Sequence, residues 1–315
     1  MEDLHKDWKF KAITPLWTGD ADRNGNRLIP TGLLGSVRWW FEMLVRGLEG
    51  SACDPSNSDN RCPDKQGHRC PVCELFGCTG WARKFRLELV DDNGRPIQDA
   101  IGVNKDIVFR FTPLRPIRVE EWALLDLTLQ LVANYGAIGG RTVFKPSDER
   151  HRENKLQHKD YGLLEILNRP HIEIGEGQLR SYVKQNHWRN VDQKGFAWAS
   201  LANFWCVHGR YLARQDNGCS TFNKVIGRVE GKNRAQHIEN SNTTNTWLAG
   251  RQMESKKVFS FKSQPRTFGF VKPGVIRFDD MEGRLQVAWP GLKADEFLKG
   301  PEILRIIIKS SGGAP

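Results

Sequence analysis

Five of the chain's seven cysteines crowd into one polar stretch, at Cys53, Cys62, Cys70, Cys73 and Cys78. A loop such as residues 51–80 has too little apolar side chain to fold on its own. A metal staple would supply the missing stability. Cys70-Pro71-Val72-Cys73 is the sharpest element, because two residues between thiolates let one tight turn offer both sulfurs to a tetrahedral zinc. The expected ligands are Cys53, Cys62, Cys70 and Cys73, with Cys78 or His68 as the alternative to Cys53. Four thiolates close the shell, so a structural Zn2+ is expected rather than a catalytic one. The odd count and tight clustering of the cysteines argue against a secreted disulfide framework.

On either side of this insertion the hydrophobic pattern changes period. Trp8, Phe10 and Ala12 alternate with lysines and predict a strand over 8–14. Pro30 then opens a helix whose apolar stripe runs from Leu33 to Leu48. Two alternating stretches follow, at 83–90 and 106–112, and a helix from Pro116 to about Tyr135. His171–Ile174 is the expected last strand. This order is the ferredoxin-like pattern, an antiparallel sheet with helices on one face. Beyond it, a helix is expected over Ala197–Arg214. Strands are expected at 258–261, 268–271, 275–278, 285–289 and 303–308. The fold class is therefore α+β, with two ferredoxin-like units over 1–175 and 176–315, the cysteine insertion lying in the first.

The 315 residues carry a net charge of +10. Residues 171–270 hold 15 basic and 7 acidic side chains, so this block alone contributes +8. A basic segment in a near-neutral chain suggests a polyanion surface, most simply nucleic acid. Trp188, Trp198, Phe222 and Trp247 could stack on bases, and the polar run from Glu239 to Thr246 offers hydrogen bonds. No apolar run approaches the ~20 residues of a membrane span. The first residues lack a signal-peptide core, so a cytoplasmic protein is expected.

Three motifs carry a resemblance. They are Thr14-Pro15-Leu16-Trp17-Thr18-Gly19, the run from Ile29 to Trp40 with Leu34-Gly35-Ser36-Val37-Arg38-Trp39-Trp40, and Glu74-Leu75-Phe76-Gly77-Cys78-Thr79. Together they resemble the RAMP superfamily of CRISPR RNA-binding proteins. Within it the chain looks like the first-numbered subunit family of the Cmr complex, the type III-B RNA-guided effector. The resemblance implies RRM-like, ferredoxin-like units that bind guide RNA and target RNA and assemble with other Cmr complex subunits. It also implies contact with the 3′ part of the guide and no nuclease activity in this subunit.

The candidate RNA-binding residues are Thr31, Gly32, Gly35, Ser36, Arg38 and Trp39 on the first helix, with Gly139, Gly140, Arg141 and Lys145 after the second. Backbone amides in a helix's first turns can take a phosphate, and glycines let a sugar-phosphate chain approach. A flexible glycine loop with cations at its exit suits backbone cradling. The plainer alternative is helix-to-sheet packing at the helix glycines and a helix cap at the loop. Trp40 is assigned to the core. Catalytic residues are not expected. Asp20 with Asp22, and His237, are the weak candidates for an endoribonuclease processing guide RNA. A zinc-stabilised protein-interaction module is the third reading.

Overall fold

The computed structural model describes all residues except 1–4, 20–24, 55, 56, 58, 60, 153, 154, 194, 216–219, 229–242, 251–253 and 313–315. The chain forms two units. The first comprises residues 1–140, 162–202 and 301–315, and the second comprises 141–161 and 203–300. They interleave along the sequence, so the division does not coincide with the single expected boundary after residue 175.

The first unit is built from β1 (Lys6–Ala12), α1 (Pro30–Gly47), α2 (Pro71–Phe76), β2 (Phe85–Val90), β3 (Lys105–Pro113), α3 (Val119–Tyr135), β4 (Leu164–Asn168) and α4 (Glu176–Val183). Its sheet has the order β2-β3-β1-β4, antiparallel throughout. That is the ferredoxin-like βαββαβ arrangement, with α1 and α3 as its helices. The alternation in the sequence has its expected cause. Trp8, Phe10 and Ala12 of β1, and Ile107, Phe109 and Phe111 of β3, are fully buried on one face. The last strand differs from expectation. It is β4, and residues 171–174 pair with no strand, although Ile172 and Ile174 are buried. Pro170 follows β4 closely and has no N–H to extend the ladder.

The second unit contains β5 (Phe204–His208), α5 (Thr221–Ile226), α6 (Thr243–Ala249), β6 (Val258–Phe261), β7 (Arg266–Phe270), α7 (Phe278–Ala288) and β8 (Phe297–Lys299). Its sheet order, β6-β7-β5-β8, repeats that of the first. Four expected elements are corrected here. The helix over Ala197–Arg214 is instead a short 3-10 turn leading into β5. Phe204, Trp205, Cys206 and Val207 are all buried, so this strand has no polar face and no alternation to read. The strand at 285–289 is the end of α7, whose buried residues Met281 and Leu285 lie four apart. The strand at 303–308 is α8 (Gly300–Ser310), nearly all of it in the first unit. It buries Ile303, Leu304, Ile307 and Ile308 at helical spacing. The strand expected at 275–278 is absent: Ile276 makes an isolated bridge to Lys272, and Phe278 opens α7. Among the described residues, no helix is long and apolar enough to cross a membrane.

Candidate metal centre and nucleic-acid face

The sulfurs of Cys53, Cys62, Cys70 and Cys73 lie within 4.8 Å of one another, and all four residues are buried. The Cys53 sulfur is 3.4 Å from that of Cys62, 3.6 Å from Cys73 and 4.0 Å from Cys70. None of these is a disulfide. At a metal–sulfur length of about 2.3 Å, a tetrahedron has edges of about 3.8 Å, which these distances bracket. The thiols also receive backbone N–H groups. Cys62 N–H donates to the Cys53 sulfur and Cys70 N–H to the Cys62 sulfur, both at 3.3 Å. Cys70 is the N-cap of α2, and its sulfur accepts from Cys73 N–H at 3.4 Å.

The surrounding structure fixes this loop at both ends. Arg46, buried on α1, donates to the Cys53 carbonyl at 2.7 Å. Lys84 sits between Glu74 of α2 at 2.8 Å and Glu121 of α3 at 2.7 Å. Neither alternative ligand is one of the four clustered sulfurs, although Cys78 lines the same cavity as Cys53, Cys62 and Cys73. His68 is exposed and turns its Nδ1 to Asp64 at 3.1 Å. Cys78 is half-buried, and its backbone bridges to Trp81.

Arg38 belongs to this cluster. Its guanidinium donates to the Cys73 sulfur at 3.1 Å, the Gly77 carbonyl at 2.8 Å and Glu42 at 3.1 Å. The expected phosphate contact therefore has its fork of donors directed at the cysteine loop. No spacing rule could have paired Arg38 with Cys73, 35 residues away.

The other candidates on α1 gather beside the glycine loop. Thr31, Gly32 and Gly35 are exposed, and Ser36 is half-buried. The N-cap, Ile29, supplies no side-chain acceptor to the first turn. Ser36 Oγ accepts from Gly139 N–H at 3.1 Å, and Trp40 Nε1 donates to the Ala137 carbonyl at 3.0 Å. Trp40 is buried, as expected, and Trp39 stands edge-on to it, half-buried. Trp17 closes the loop from the other side. Gly140 N–H donates to its carbonyl at 2.7 Å. Gly139 has φ +85°, and a Cβ there would lie 2.7 Å from that carbonyl. At Gly140 a Cβ would lie 2.5 Å from the Trp17 ring. These two glycines answer to packing. Gly35 does not, because a Cβ there would meet nothing within 4 Å.

Arg141 and Lys145 belong to the second unit. Arg141 has φ +60° and stands 5.7 Å from the Tyr161 ring centre. Lys145 Nζ lies 4.5 Å from the centre of the Phe222 ring. Of the proposed stacking residues, Phe222 and Trp247 are buried in the core, while Trp188 and Trp198 are half-buried. Asp20, Asp22, His237 and the first part of the run from Glu239 to Thr246 lie outside the described residues.

No curated protein matches the chain. Among solved structures, a similar one is the crystal structure of Cmr1 from Pyrococcus furiosus in its apo form. It has 10% identity and a TM-score of 0.39, with 98% of this chain and 97% of that chain covered. Residues 9–144 match the family model of the RAMP superfamily. This stretch runs from β1 through the cysteine insertion and α3 to the glycine loop.

Proposed function

We propose that this chain is a non-catalytic RNA-binding subunit of a CRISPR type III-B (Cmr) effector complex. In this reading it meets the 3′ part of the guide RNA or its target duplex, together with neighbouring subunits, in the cytoplasm. The observation that carries the reading is the join between Ser36 and Gly139 within the stretch that matches the RAMP superfamily. It sets the exposed first turns of α1 beside the glycine loop. Thr31, Gly32 and Gly35 there offer backbone to a sugar-phosphate chain without a bulky side chain in the way. The positive end of an 18-residue helix favours the phosphate.

The four cysteines hold one Zn2+ in this reading. Two observations support it, the donor set of four thiols and sulfur spacings that fit a tetrahedral shell. The ion's part is structural. It fastens α2 and the loop before it against α1, with Arg38 and Arg46 offsetting the negative charge of the thiolates.

Co-purification tests the assignment. A tagged chain expressed with its genomic neighbours should bring down a guide RNA and further subunits. The isolated chain should bind single-stranded RNA with an affinity that falls with salt, and should not cleave it. Recovery of the chain alone, with no RNA and no partner, would refute the assignment. Cleavage lost in Asp20→Ala, Asp22→Ala or His237→Ala would replace it with the endoribonuclease reading.

A further inference from the structure

We propose that Lys145, Lys256 and Arg228 of the second unit form an oxyanion site that takes a phosphate group. Three separate segments deliver these cations to one place. Lys145 follows the glycine loop, Arg228 follows the C-cap Gly227 of α5, and Lys256 precedes β6. The two ammonium groups approach the same ring, Phe222, with Lys145 Nζ at 4.5 Å and Lys256 Nζ at 5.9 Å from its centre. Lys256 Nζ is held in place by the Val143 carbonyl at 2.8 Å. The Phe222 ring is buried and forms an apolar floor beneath the cations.

Several other cations of this unit have carboxylate partners. Arg214 pairs with Glu149 at 3.1 Å, Arg210 with Glu296 at 2.9 Å and Lys262 with Asp148 at 2.7 Å. Among the described residues, Lys145, Lys256 and Arg228 pair with no carboxylate. Arg228 Nε is buried and has no hydrogen-bond partner among the described residues. Like charges brought together away from water cost stability unless an anion joins them. The strain is visible in the lysines. Burial, followed by repulsion from Lys256, Arg228 and Arg214, pushes Lys145 down to about 7. Burial and Arg228 push Lys256 down to about 8. A phosphate group matches what is presented, since its oxygens can accept from two ammonium groups and a guanidinium at once. That the phosphate belongs to an RNA backbone rests on the function proposed above. The anion site itself does not.

The test uses the full chain with Lys145→Gln, Lys256→Gln and the double variant, and with Lys145→Arg as the charge-keeping control. Two probes are applied, inorganic phosphate in thermal unfolding and a fluorescent oligouridine RNA over a salt series. Phosphate should raise the unfolding temperature of the parent and of Lys145→Arg, but not of the Gln variants. Each Gln variant should bind oligouridine several-fold more weakly. Each should also shallow the slope of log affinity against log salt by about 0.7, one phosphate contact on a single strand. Loss of the phosphate effect with RNA binding intact would uphold the anion site and exclude an RNA backbone as its source. Gln variants that respond to phosphate as the parent does would overturn the site. A Gly35→Ala variant, altered in the first unit only, reports separately on the α1 face.

Discussion

The Arg38 guanidinium donates to the Cys73 sulfur at 3.1 Å, so the most conspicuous cation of the first helix faces the cysteine cluster. Groups that hydrogen-bond a metal ligand set its orientation, and their loss typically costs 10–100-fold in metal affinity. Arg38→Ala should therefore release zinc to a chelator at least about tenfold more readily. Its RNA salt slope should match that of the parent. A slope shallower by about one counterion with unchanged metal retention would return Arg38 to the phosphate-binding set.

Metal content is the second expectation. Protein purified without chelators should hold one zinc per chain. A Cys70→Ser/Cys73→Ser variant should lose it and become open to protease across residues 51–80. The sheet of the first unit should survive, because its core of Trp8, Phe10, Phe109 and Phe111 lies outside the loop. Elemental analysis finding no transition metal would sink this expectation.

The glycines of the α1 face separate packing from function. Gly35 is exposed, and a Cβ there meets nothing within 4 Å. Gly35→Ala should stabilise the helix by roughly 0.5–1 kcal/mol. If RNA backbone runs along this face, the same change should weaken RNA binding. Gly140→Ala should destabilise by about 1–3 kcal/mol, because its Cβ would drive into the Trp17 ring. Denaturant titration and RNA binding on both variants check the pair. Unchanged affinity in Gly35→Ala would move the RNA path elsewhere.

What the sequence reveals follows from how each segment meets water. In β1 and β3 one face is buried and the other is wet, so Trp8-Phe10-Ala12 and Ile107-Phe109-Phe111 announce themselves by alternation. In β5 both faces are buried, so Phe204 to Val207 read as an unbroken apolar run indistinguishable from a helix stripe. In α8 the β-branched residues Ile303, Ile306, Ile307 and Ile308 imitate a strand, although burial at 303, 304, 307 and 308 is helical. At the candidate sites the cysteine set was legible because its spacing is local. The links from Arg38 to Cys73, Ser36 to Gly139 and Lys145 to Phe222 were not, because only the tertiary fold brings those residues together.

The cation cluster of the second unit makes a prediction about stability as well as binding. Lys145 titrates at about 7 in the folded chain, against an ordinary value of 10.5. The cause is burial first, then the charges of Lys256, Arg228 and Arg214, the last already paired with Glu149. Between these two values the unfolded chain binds the extra proton, so stability rises with pH across that window. Below pH about 7 both states are protonated and the folded state bears the full cost of the crowded charge. Lys145→Gln removes that cost. In the absence of anions, the variant should unfold at a higher temperature than the parent at pH 6–7. Its unfolding temperature should also rise less between pH 7 and 10. Added phosphate should narrow the gap, since it stabilises the parent and not the variant. Thermal unfolding across this pH range, in a buffer free of phosphate and sulfate, checks all three. A variant less stable than its parent at pH 6 would show that Lys145 is a packing residue whose charge is already satisfied.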